Sequence, residues 1–281
     1  MAAPRFRYRS LEDFVIASEM TVDGLLDNGW GAPMSIKGVQ IDAAVLFAGI
    51  SSFTERTAEM SPVETLTYVN QFFTWMTAEA LNEGHGIIDK YIGDQVMVVY
   101  SKAFGSEDPF KEAVRAAVRM STDDVMDFGP HIGIAEGPVI VGYAGTPVRH
   151  NCSVFGAPVA LAARCAGVPP DGDPDAFANH TITFPAESAT GLAVPDLVAH
   201  LLRDPEAGDI EEDDTGQSVW KLTEPFTRSL KGRGEMALQQ LRDDLSLRIN
   251  SFIVEDRTRD SVEHLRRANR YWPNGRQPQK P

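Results

Sequence analysis

Cysteine is scarce: Cys152 and Cys165 are the only two in 281 residues. That excludes a disulfide scaffold and a cysteine-based metal centre, and it predicts a pair of buried, reduced thiols. No stretch approaches the about 20 apolar residues of a membrane span. The opening Met-Ala-Ala-Pro-Arg-Phe-Arg-Tyr has no signal-like apolar run. Positive charge is also short, with 26 Lys and Arg against 40 Asp and Glu and a formal net charge of −14. A nucleic-acid binder draws much of its affinity from neutralising phosphates, so that class is disfavoured. A small anionic ligand is still allowed, because a local basic cluster can overrule the global field. The expectation is a cytoplasmic protein without membrane or nucleic-acid partners. Its 43% hydrophobic content is enough for a sizeable core.

Residues 1–38 read as an N-terminal extension: Ser10 caps a short helix, and Gly29 to Pro33 supplies breakers. Ile41 to Phe47 is a strand-length apolar run, expected to be covered on both faces. Ser61-Pro-Val-Glu64 is a helix start with a capping box and proline at the first helical position. A hairpin over Ile87 to Tyr100 and a helix near Phe110 to Met120 follow. Next is a strand pair, His131 to Ala135 and Val139 to Tyr143, turning at Glu136-Gly137, and then a helix from Ala157 to Cys165. The order predicts an α+β, ferredoxin-like βαββαβ core over residues 39–241. Polar loops are expected at 169–174 and 204–216, and strands at 218–222 and 228–230. Beyond Leu241, residues 242–281 read as a helical, arginine-rich extension and tail.

Four segments hold the chemistry. Asp94 follows Gly93 at the hairpin apex, where an apolar setting makes a carboxylate costly unless a metal or a cation meets it; a structural turn aspartate is the alternative. Lys90, four residues earlier on an apolar strand, is either functional or a guard against edge pairing. Phe47-Ala-Gly-Ile-Ser-Ser-Phe-Thr54 leaves a strand with small and hydroxyl residues that can cradle phosphate oxygens, as any strand-to-helix loop partly can. Arg164, on an apolar helix, calls for an anion or a surface ion pair. Lys231 and Arg233 alternate with glycines in a basic loop suited to a polyphosphate, or in a plain hairpin turn.

The order of these segments carries a resemblance over roughly residues 40–240. The chain resembles the class III nucleotidyl cyclases in Phe47-Ala-Gly-Ile-Ser-Ser-Phe-Thr54, Lys90-Tyr-Ile-Gly-Asp94, Gly133-Ile-Ala-Glu-Gly-Pro-Val-Ile-Val-Gly142, Gly156-Ala-Pro-Val-Ala-Leu-Ala-Ala-Arg164 and Leu230-Lys-Gly-Arg-Gly234. The resemblance implies cyclisation of a nucleoside triphosphate to a 3′,5′-cyclic monophosphate and pyrophosphate, with two divalent ions, Mn2+ or Mg2+. It implies Asp94 and the Ile50 carbonyl as metal ligands, and Ser51, Ser52, Phe53, Thr54, Lys231 and Arg233 as phosphate contacts. Arg164 is implied as the catalytic cation, Lys90 and Ser153 as base readers, and a head-to-tail homodimer as the assembly that shares its sites.

Two positions depart from the family pattern. Gly49 stands where the first metal aspartate belongs, and Ala160 where an asparagine assists the transition state. Asp42 lies seven residues back, over about 20 Å along a strand, and cannot substitute. A weak enzyme or a cyclase-like binding module is therefore an alternative. Lys90 only donates hydrogen bonds, which disfavours guanine, and Ser153 donates or accepts. The pair suits uracil, as in the stand-alone uridylate and cytidylate cyclases of the Pycsar antiphage system that the chain also resembles; adenylate cyclase is the alternative. The Gly-Gly-Glu-Glu-Phe hairpin of diguanylate cyclases is absent.

Overall fold

The computed structural model describes residues 6–27, 33–122, 128–146, 149–169, 181–194 and 220–243. α1 (Leu11–Ala17), β1 (Val22–Asp27) and β2 (Pro33–Gly49) come first. They are followed by α2 (Phe53–Thr57), α3 (Pro62–Ala80), β3 (Ile87–Ile92), β4 (Gln95–Tyr100), α4 (Pro109–Thr122), β5 (His131–Thr146), β6 (Arg149–Phe155) and α5 (Ala157–Ala166). β7 (Thr181–Pro185), β8 (Trp220–Leu222), β9 (Phe226–Leu230) and β10 (Gly234–Asp243) complete the described strands. The strands form one sheet with the path β3-β4-β2-β5-β7-β10-β8; β1 pairs with β2, β6 with β5 and β9 with β10. The ferredoxin-like core is its β3-β4-β2-β5 portion, antiparallel throughout.

β2 shows why the sheet is covered twice. Ala44, Leu46 and Ala48 join one buried cluster with Phe72 and Met76 of α3 and Val114 and Val118 of α4. Ala43, Val45 and Phe47 join another with Phe14 and Val15 of α1 and Leu161 and Cys165 of α5. The alternation of a strand thus supplies two cores from one apolar run. α3 starts where its sequence says: Ser61 Oγ accepts from the Glu64 amide at 3.4 Å, and Glu64 Oε2 accepts from the Ser61 amide at 2.8 Å. Both cysteines are free thiols.

Three expectations are corrected. The strand pair turning at Glu136-Gly137 is a single strand, β5, in unbroken register with β2 from Gly49↔His131 to Gly38↔Gly142. Gly137 absorbs the kink at φ 144. On the edge away from β2, Pro138 falls between the β7 pairing, which ends at Gly133, and the β6 pairing, which begins at Ile140, so its missing N–H breaks no ladder there. β2 begins at Pro33 and pairs back on β1, so the sheet crosses the boundary placed at residue 38. Helix was expected beyond Leu241, but β10 runs on to Asp243, held by β7 and β8. The rest of that extension and the two polar loops lie outside the described residues, apart from Pro169.

Glu83, just past α3, ties that helix to α4. Its carboxylate accepts from Arg115 Nε at 2.9 Å and Nη2 at 2.6 Å, and from Arg119 Nη1 at 2.9 Å. Burial alone would raise its pKa, but the two guanidiniums outweigh that and hold it at about 2. A carboxyl lowered in the folded state stabilises above its unfolded value near 4.5 and loses that contribution as pH falls toward about 2. The stabilisation is at most about 3 kcal/mol, less after solvent screening. Glu83→Gln should lower the melting temperature at pH 7 and flatten its decline between pH 4.5 and 2; an unchanged acid limb contradicts this.

Candidate active site

Three strand ends converge at Gly49. It pairs with Gln95 of β4, the residue after Asp94, and with His131 at the start of β5. Asp94 lies in the β3–β4 turn, which Gly93 makes possible at φ 62. The apex was expected to be buried. Instead Tyr91 and Ile92 are 48% and 47% exposed, and Asp94 is half-buried. The hairpin overhangs the core and is held by Tyr91, which stacks on Phe73 at 4.3 Å and hydrogen-bonds Thr77 at 2.7 Å. Desolvation therefore does not by itself demand a cation on Asp94, while its exposure leaves the carboxylate open to one.

A Cβ built on Gly49 falls 2.8 Å from His131 Nε2 and 2.9 Å from Gln95 Cγ. An imidazole thus occupies the space that a side chain at position 49 would use. Burial depresses the His131 pKa, with the Asp94 charge pulling the other way. The sequence reading missed His131, because only the β2–β5 register brings it opposite Gly49. Among the described residues no three His, Cys, Asp or Glu side chains are grouped to hold an ion alone. Among the described residues the donors next to Gly49 in the ladders are the His131 imidazole and, in the turn before Gln95, the Asp94 carboxylate; an ion held there would be completed by a triphosphate's oxygens.

Beyond Ile50 the chain turns sharply. The Ser51 amide donates to the Phe128 carbonyl at 3.3 Å, and its hydroxyl donates to the Gly129 carbonyl. Ser52 adopts φ 51 and opens α2, whose first-turn amides include those of Phe53 and Thr54. Elsewhere Arg164 of α5 donates to the Lys231 carbonyl, and Arg233 Nη2 donates to the Ala157 carbonyl at 2.9 Å. The structure therefore brings Arg164, Lys231 and Arg233 together, with the β9–β10 turn docked on α5. Ala160 lies exposed on the same helix.

Lys90 and Ser153 also meet. Lys90 Nζ donates to Ser153 Oγ at 2.6 Å, and Ser153 Oγ donates to Asp89 Oδ2 at 2.7 Å. Lys90 lies 3.3 Å from the same Asp89 oxygen. The Ser153 proton is thus committed, and toward a base Ser153 is an acceptor rather than an ambivalent group. The Asp89 side chain is 1% exposed and its Oδ1 has no hydrogen-bond partner among the described residues. Burial raises its pKa, while Ser153 and Lys90 act against that. The sequence does not join Asp89 to Lys90 and Ser153, because plain alternation points it away from Lys90. A β-bulge between Ile88 and Lys90 brings both to Ser153. The cluster borders a cavity of about 500 Å³ lined also by Glu12, Tyr143, Asn151 and Cys152.

Residues 39–172 match the family model described as Adenylate and Guanylate cyclase catalytic domain. The fold is that of a class III cyclase catalytic domain. The adenylyl cyclase CyaB from P. aeruginosa superposes with a TM-score of 0.54 at 20% identity, over 73% of this chain and 95% of that one. The guanylyl cyclase Cya2 gives 0.53 at 20% identity, over 73% and 93%. In sequence, the "Adenylate cyclase" of Anabaena cylindrica is 29% identical over 155 residues, 49% of this chain but only 30% of that protein. An uncharacterised Mycobacterium tuberculosis protein is 28% identical over 130 residues, 45% of this chain and 24% of its own length. The structural matches thus cover more of the chain than the family model does. Among the described residues no helix is long and apolar enough to cross a membrane.

Proposed function

We propose that the chain is a nucleotidyl cyclase that converts a nucleoside triphosphate to its 3′,5′-cyclic monophosphate and pyrophosphate. The observation that carries this reading is the Lys90–Ser153–Asp89 cluster in a cyclase fold, with Lys90 and Asp89 lining a cavity of about 500 Å³, ample for a nucleotide. The ribose 3′-hydroxyl attacks the α-phosphorus and pyrophosphate leaves. Arg164 neutralises charge developing at the α-phosphate, while Lys231, Arg233 and the start of α2 hold the polyphosphate. A divalent ion at Asp94, with the Ile50 carbonyl, would lower the hydroxyl's pKa and neutralise the leaving oxygens. Two copies assemble head to tail, which would cover Ile92 and Phe155, 47% and 44% exposed in the single chain. We place the enzyme in the cytoplasm.

The free donor on Lys90 and the acceptor on Ser153 complement uracil through O4 and N3–H. We therefore read the substrate as a pyrimidine triphosphate, UTP before CTP, and the product as cyclic UMP, a messenger in antiphage defence. The same pair complements adenine through N1 and its exocyclic amine, and the 29% identity to an adenylate cyclase favours that second reading. Purified protein with Mn2+ and each of the four ribonucleoside triphosphates, followed by mass spectrometry, separates them. A cyclic UMP signal well above the rest supports the first, a cyclic AMP signal the second. No cyclic product from any triphosphate overturns the enzymatic reading in favour of a binding module.

Asp89→Asn retains an acceptor for Ser153 and removes the charge beside Lys90. It should raise KM for the preferred triphosphate about tenfold, the size expected of a charge-assisted hydrogen bond, with a smaller change in kcat. An unchanged KM contradicts a base-reading role for this cluster.

A further inference from the structure

The strand-end carboxylate missing at Gly49 has a successor in space. We propose that His131 is a metal ligand, so that the divalent ion of this site is held by His131 Nε2 and the Asp94 carboxylate together. The inference rests on the cyclase reading of the site and concerns a residue outside the motifs that carry the resemblance.

The argument is geometric. Gly49 faces His131 directly in the β2–β5 ladder and Gln95, the neighbour of Asp94, in the β2–β4 ladder. One position on the central strand therefore lies between the hairpin turn and the start of β5. The atom closest to a side chain introduced at position 49 is His131 Nε2, at 2.8 Å. A carboxylate reaching out from β2 and an imidazole reaching across from β5 would compete for the same volume, and this chain has the imidazole. Glycine at 49 is what makes room for it.

The exchange alters what the site prefers. A two-carboxylate site brings two negative charges and hard oxygen donors, which suit Mg2+. With one carboxylate replaced by a neutral nitrogen, the site carries one negative charge less. It then favours ions that accept imidazole readily, with Mn2+ more competitive against Mg2+ and Co2+ or Zn2+ more so. It also changes the meaning of restoring aspartate at 49. Gly49→Asp alone displaces the His131 ring and trades one ligand for another, whereas Gly49→Asp with His131→Ala rebuilds a two-carboxylate site.

The alternative role for His131 is a plug filling the hollow beside glycine, and pulsed EPR separates the two. The tag-free full chain is loaded with Mn2+, alone and with a 3′-deoxynucleoside triphosphate that lacks the nucleophile. The expected spectrum shows nitrogen modulation from a coordinated imidazole. His131→Gln keeps the volume and should abolish that modulation and weaken Mn2+ binding about tenfold, with unchanged circular dichroism. Should His131→Gln fail to fold, Gly49→Asp/His131→Ala serves instead: it should bind Mn2+ without nitrogen modulation and narrow the preference for Mn2+ over Mg2+. No nitrogen modulation in the metal-loaded wild type, or modulation that persists in His131→Gln, overturns the proposal. Nitrogen ligation without any cyclic product would leave the ligand in place and remove the cyclase reading. Cyclic product without nitrogen ligation would do the reverse.

Discussion

Asparagine at position 94 is expected to cut cyclic-nucleotide formation by about a thousandfold or more, with a melting temperature close to wild type. The two halves of that expectation have separate causes. Asp94 sits half-buried on an overhanging turn whose shape is set by Gly93 and whose attachment is made by Tyr91 on Phe73 and Thr77. Removing its charge therefore breaks no packing. On the proposed cyclase reading this charge holds the divalent ion where β2, β4 and β5 converge, so its loss would remove metal affinity and transition-state stabilisation together, about 4 kcal/mol for a thousandfold. Arg164→Ala should lose activity by a hundredfold or more. If sites are shared in a head-to-tail dimer, mixing the two inactive chains leaves one intact site in each mixed dimer. Roughly a quarter of wild-type activity should then return after random reassortment. A mixture as inactive as its parents contradicts shared sites, and an Asp94→Asn protein with unchanged turnover contradicts the metal role itself.

Gly133→Ala carries the largest expected effect on stability. A methyl group there falls within the backbone of α5, against the Ala162 carbonyl and the Ala166 amide, so no side-chain rotation relieves it. α5 must lift off β5, which loosens the packing of Leu161, Ala162 and Cys165 in the second core. Overpacking of this kind costs about 1–3 kcal/mol and more where the backbone is the obstacle. α5 also carries Arg164 and receives the β9–β10 turn, so activity should fall at temperatures where the variant is still folded. Urea unfolding measures the first effect and turnover at 15 °C the second. A midpoint within error of wild type would show that the helix does not seat on that glycine.

Local chemistry was legible and long-range register was not. Ser61, Pro62 and Glu64 are contiguous in sequence, and their capping box forms as read. The βαββαβ order follows from the spacing of apolar runs, and it holds. Glu136-Gly137 reads locally as a turn, yet unbroken pairing of His131 to Gly142 with β2 overrides that local signal. Lys90 and Ser153 were found through motif positions. Asp89 was not assigned to them, because the bulge that turns it has no signature of its own. His131 illustrates the limit most clearly. A half-buried histidine at a strand start is unremarkable until the ladder sets it against Gly49.

The most direct test is stoichiometric. Wild-type protein incubated with Mn2+ and its preferred triphosphate should release a 3′,5′-cyclic monophosphate and pyrophosphate in equal amounts, and the Asp94→Asn chain should release neither. Triphosphate recovered intact, or consumed to diphosphate and orthophosphate without a cyclic product, would contradict the account.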